Sequence, residues 1–101
     1  MRLALKIPDN INVNDFFRKC GYAVIFAKEK RSVSYVKRLT GNYYPRIHIY
    51  VRKTAANMII DIHLDQKKVK FKDKIIHAGD YGGGLLESEA AKIKNNLKKY
   101  K

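Results

Sequence analysis

The stretch that most constrains the fold runs from Tyr43 to Asp65 and reads YYPRIHIYVRKTAANMIIDIHLD. Ile47, Ile49 and Val51 alternate with Arg46, His48, Tyr50 and Arg52. Met58, Ile60, Ile62 and Leu64 then alternate mostly with polar residues, Asn57, Asp61, His63 and Asp65. Alternation of this kind marks a strand with one buried face and one wet face. Two such runs around a short polar connection predict an antiparallel hairpin. Periodicity leaves two registers open. A loop over Lys53–Ala56 sets Arg52 against Asn57, His48 against Asp61 and Arg46 against His63. A loop longer by two residues sets His48 against His63 and Arg46 against Asp65. A two-residue shift preserves the faces, so both satisfy the pattern.

The rest of the chain supplies partners for that hairpin. Leu3, Leu5 and Ile7 alternate with Arg2, Ala4 and Lys6, which predicts a first strand ended by Pro8 and Asp9-Asn10. Asn12 or Asn14 can cap a short helix to about Lys19, with Val13, Phe16, Phe17 and Cys20 as its apolar contacts and Gly21 as its stop. Tyr22–Ala27 is apolar throughout, the pattern of a strand buried on both faces. Val33–Leu39 returns as another strand after a charged turn. Val69, Phe71 and Ile75 suggest a lysine-flanked edge segment. Leu86, Ala90, Ile93 and Leu97 recur at helical spacing, with Glu87 and Glu89 early and Lys92, Lys94, Lys98 and Lys99 later, an order that complements the helix dipole. The expectation is one α+β domain over residues 1–101. It is an antiparallel sheet of four to six strands with two helices, near 13–20 and 85–99, packed on one face.

Charge narrows the function. Lys and Arg number 22 against 9 Asp and Glu, a formal net charge of +13. Such a surface attracts polyanions, nucleic acid first among them, although the same excess also suits an acidic protein partner. No acid occurs between Lys30 and Ile60. Cys20 is the single cysteine, which excludes an intrachain disulfide and cysteine-rich zinc sites. No apolar run reaches membrane-spanning length, and the first ten residues lack the apolar core of a signal peptide. A cytoplasmic protein without a cofactor and without a membrane partner is expected.

Two kinds of chemistry are available to the residues on the wet face. In the first, Arg46, Arg52 and Lys53 contact phosphates, helped by Lys28, Lys30, Arg31 and Arg38, while Tyr44 and Tyr50 stack on bases and His48 and His63 hydrogen-bond. In the second, His48, His63, Asp65 and His77 converge as a general acid–base or metal site that cuts phosphodiesters. Their spacing matches no metal signature. The HAGDYGGG run from His77 to Gly84 has free backbone N–H groups for a phosphate, but no Gly-Lys-Ser/Thr follows. It reads as a turn that folds the last helix back onto the sheet.

Two resemblances follow from these residues. The run HLDQK from His63 and the loop HAGDYGG resemble a group of small basic proteins with an HLDQK segment, a His-x-Gly-[Asp/Glu]-Tyr loop and a final helix, a group with no established activity. That similarity covers Leu39 to the C-terminus and directs attention to His63, Asp65, Gln66, His77, Asp80 and Tyr81. The order of elements, with a helix ending FFRKCGY before a run of strands, is also similar to double-stranded-RNA-binding-like folds, including HicA-type ribonuclease toxins. Those toxins carry Gly-Ser-His in an early hairpin. The corresponding stretch here, KEKRSVSYV, has no histidine. The expected function is therefore a small basic nucleic-acid-binding protein, for RNA rather than DNA, using an open sheet face. A small nuclease or phosphodiesterase and an interaction module for an acidic protein partner stand as alternatives.

Overall fold

The computed structural model describes residues 1–8, 10–66 and 84–100. Its elements are β1 (Arg2–Lys6), α1 (Val13–Lys19), β2 (Ala23–Ala27), β3 (Ser32–Arg38), β4 (Arg46–Lys53), β5 (Asn57–Asp65) and α2 (Leu85–Lys99). The five strands form one antiparallel sheet in the order β1-β5-β4-β3-β2. The hairpin of the sequence, β4–β5, lies at its centre. The edge segment expected around Val69, Phe71 and Ile75 lies outside the described residues.

The core forms on the face that both helices cover. Ile47, Ile49, Met58, Ile60, Ile62, Ala90 and Ile93 are buried as their periodicity predicts, while Val51, Leu64 and Leu86 are half-buried at its margin. Burying an isoleucine of this kind contributes about 1.5–3 kcal/mol. From α1, Phe17 stacks on Tyr35 of β3 with centroids 4.4 Å apart, and Phe16 meets the Tyr100 ring edge-on. The start of α1 is capped by Asn12, whose side-chain oxygen accepts from the Asp15 N–H at 3.1 Å. Gly21 ends it at φ +95°, a conformation that a side chain resists.

The observed hairpin register is that of the longer loop. His48 faces His63 and Arg46 faces Asp65, and pairing continues to Lys53 opposite Met58. The turn beyond that pair closes on Thr54. Its N–H donates to the Asn57 carbonyl at 2.8 Å, and its hydroxyl accepts from the Asn57 N–H at 3.1 Å.

Three expectations need correction. The apolar run Tyr22–Ala27 is not a doubly buried strand. β2 is a sheet edge, with Phe26 61% exposed and Val24 packed on the core. An apolar composition reports burial of some side chains, not the strand's place in the order. Second, Glu89, read with Glu87 as an early acid complementing the helix dipole, lies beyond the first turn and serves an ion pair with Lys37 instead. It points inward and is 4% exposed. Third, Arg46 and His48 share parity with the wet face but are buried: Asp65 and Ser34 hydrogen-bond His48, while Arg46 is enclosed by Asp65 and the rings of Tyr43 and Tyr44.

Candidate nucleic-acid interface

The face opposite the helices takes its residues from strand parity. Across the register, Ser34 pairs with Tyr50, Arg38 with Arg46, His48 with His63, and Tyr50 with Asp61. Side chains of one parity project to one side, so these groups share a surface.

Its centre is a hydrogen-bonded chain running across three strands. His48 Nδ1 lies 2.8 Å from Asp65 Oδ2, and His48 Nε2 lies 2.8 Å from the Ser34 hydroxyl. The carboxylate can only accept, so it sets the neutral ring's proton on Nδ1. Nε2 then accepts from the Ser34 O–H. A hydroxyl, an imidazole and a carboxylate in this order have the connectivity of an activated nucleophile. Both Ser34 and His48 are buried, however, and the His48 ring is covered by Tyr50, stacked at 4.3 Å and 23°. The chain fixes the orientation of the histidine on which Tyr50 rests. Tyr50 also meets the exposed His63 edge-on at 5.7 Å, yet keeps 47% of its surface open. Part of a large aromatic ring is thus presented to solvent.

One end of the face carries a second aromatic and basic group. Arg46 Nε donates to Asp65 Oδ2 at 3.3 Å, and its guanidinium lies 4.5 Å and 4.9 Å from the ring centroids of Tyr43 and Tyr44. Arg38, exposed on β3, lies 5.0 Å from the Tyr43 centroid. Burial works against the Arg46 charge, but the tyrosines and Asp65 outweigh it and hold the guanidinium above its usual range.

The opposite end carries the remaining predicted cations. Arg52 is exposed on this face at the end of β4; Lys53, expected beside it, is exposed too but has the parity of the core face, opposite Met58, and Lys28, Lys30 and Arg31 are exposed in the β2–β3 turn. Antiparallel pairing of β3 with β4 brings those two turns to the same edge. Arg46 and Arg52 are six residues apart on one strand, about 20 Å at the usual rise. Among the described residues, both strand acids on this face, Asp61 and Asp65, are matched by arginine. Arg2 Nε donates to Asp61 at 2.9 Å, a hydrogen bond that lowers the aspartate's pKa, and Arg46 pairs with Asp65. Asp61 is thus offset by an arginine outside the two basic ends, whereas Asp65 offsets one of the two arginines at the Arg46 end.

Of the four residues proposed for phosphodiester cleavage, the structure joins His48 to Asp65 and sets His63 beside His48. His77 lies outside the described residues, as do Asp80 and Tyr81. Among the described residues no group of three His, Cys, Asp or Glu is placed to hold a metal ion, and no helix is long and apolar enough to cross a membrane. Ser34 is not foreseen from the sequence. Its alternation with Tyr35 and Val36 on β3 is readable, but its meeting with His48 needs the β3–β4 register. No known family model, curated protein or solved structure matches this chain.

Proposed function

We propose that this chain is a nucleic-acid-binding module for single-stranded RNA, working through the sheet face opposite the two described helices. The observation that carries the reading is Tyr50, an exposed aromatic ring stacked on His48 and flanked along its strand by Arg46 and Arg52. Unpaired bases stack on such rings, and guanidinium and ammonium groups meet the phosphates between them. Arg52, Lys53, Lys28, Lys30 and Arg31 supply the exposed charge at one end. The net charge of +13 adds long-range attraction. No base-reading set of side chains is evident among the described residues, so the binding expected is tolerant of sequence.

Titration of labelled RNA and DNA oligonucleotides at several salt concentrations tests this. The expected result is an affinity whose logarithm falls linearly with the logarithm of salt. Single-stranded RNA should bind more tightly than duplex DNA. Tyr50→Ala should weaken single-strand binding by about 1–3 kcal/mol, while Arg52→Ala should flatten the salt slope by about 0.7 for each phosphate it ceases to neutralise. Absence of binding at low salt overturns the proposal and favours an acidic protein partner.

A further inference from the structure

Arg38 and Arg46 face each other directly across β3 and β4. Like charges in that position destabilise a sheet pair. Among the described residues one carboxylate, Asp65, serves them, and it also accepts from His48. Arg46 is 8% exposed, and its Nη1 is buried without a hydrogen-bond partner among the described residues. A buried, charged donor left unpaired is costly. Arg38 is exposed, and Tyr43, 50% exposed, stands beside both guanidinium groups.

We infer that Arg38, Arg46 and Tyr43 form a discrete clamp for one nucleotide of the bound strand, its phosphodiester taken by the two arginines and its base laid on Tyr43. This rests on the RNA-binding reading and adds a second point of attachment, roughly 20 Å from the Arg52 end of β4 at the usual strand rise. The guanidinium fork matches phosphate oxygens in pairs, which a lysine cannot reproduce. The charges also balance. Two arginines and Asp65 leave one positive charge, and an internal phosphodiester carries one negative charge. The Tyr43 and Tyr44 rings and the Asp65 carboxylate already hold the Arg46 charge in place, so the anion meets a fixed cation beside the exposed Arg38.

The test uses the full chain with the dinucleotide UpU and, separately, inorganic phosphate, followed through the Arg46 Nε–H and Tyr43 ring resonances. UpU should shift both signals. Arg38→Ala, a change at an exposed site, should weaken UpU and RNA binding severalfold and lower the salt slope by about 0.7. Arg38→Lys should restore most of the slope and less of the affinity. If UpU moves neither signal, or Arg38→Ala leaves RNA affinity and slope unchanged, the clamp is wrong. The RNA-binding reading then still stands if Tyr50→Ala weakens binding. If inorganic phosphate shifts Arg46 as strongly as UpU while Tyr43 stays still, the site holds an adventitious ion only, and the clamp again falls. If longer RNA fails to bind, the wider reading fails, and the UpU signals judge the clamp alone.

Discussion

At the scale of single residues, His48 illustrates how a polar side chain becomes structural. Both ring nitrogens are engaged and one face is covered by Tyr50. Replacing it with alanine strands the Ser34 hydroxyl and removes one partner of Asp65. Leaving one buried polar group unsatisfied costs about 1–3 kcal/mol. His48→Ala should lower the urea midpoint accordingly, and it should also loosen Tyr50, weakening RNA binding by less than Tyr50→Ala does. Equal losses from the two variants would mean that the histidine itself touches RNA. Ile60 presents the apolar counterpart. It is fully buried at the sheet centre, and Ile60→Ala should cost about 2–5 kcal/mol in urea unfolding, through the apolar burial removed and the cavity left behind.

At the scale of elements, α2 is fastened to the sheet by a charge as well as by Ala90 and Ile93. Lys37 occupies a core-facing position of β3, and its ammonium lies 2.7 Å from Glu89 Oε1, which also accepts from the Tyr22 hydroxyl at 2.7 Å. Burial by itself raises a carboxyl's pKa, but Lys37, Tyr22 and Lys92 outweigh it and hold Glu89 below the ordinary glutamate range. A group depressed on folding stabilises above its unfolded pKa, ordinarily 4.5. That stability is lost as pH falls through the lower folded value. Acid titration of the folded state should therefore show a loss of stability below that point, and Glu89→Gln should flatten this part of the curve. At neutral pH the same variant should cost about 3 kcal/mol, the low end for breaking a buried pair, because the Lys37 side chain keeps 27% of its surface in solvent. An unchanged acid limb in Glu89→Gln would show that the pair does not fasten α2.

At the scale of the molecule, a net charge of +13 acts on folding and binding in opposite directions. Self-repulsion opposes the folded state and is screened by salt, whereas the same charge attracts RNA only while salt is low. The melting temperature should rise with sodium chloride over the range in which RNA affinity falls. A melting temperature that drops with salt would indicate that ion pairs such as Arg2–Asp61 outweigh the repulsion. Stability should also decline in alkali. Burial pushes the Tyr22 and Tyr35 hydroxyls above their ordinary value of 10.0, with the Glu89 carboxylate adding to the effect at Tyr22. Groups raised on folding contribute fully below the unfolded pKa, and that contribution fades as pH climbs past 10.0 toward the folded values.

Local pattern alone determined which residues of β4 and β5 face the core, that α1 ends before Gly21, and which stripe of α2 is apolar, and it narrowed the cap of α1 to Asn12 or Asn14, of which Asn12 serves. These follow from periods of two and 3.6 residues and from capping, all of them interactions within a few positions along the chain. The same pattern could not fix the hairpin register, because a shift of two residues preserves every face. Thr54 and the cross-strand pairs fixed it. Nor could it place β2 at the edge, since strand order depends on pairings among segments far apart in sequence. The burial of Arg46 and His48 and the inward turn of Glu89 were likewise decided by tertiary structure. Each depends on a partner from another strand, Asp65 and Ser34 in one case and Lys37, 52 residues distant, in the other. A polar residue can be read from the sequence as compatible with water, but only the assembled sheet shows whether another polar group has taken the water's place.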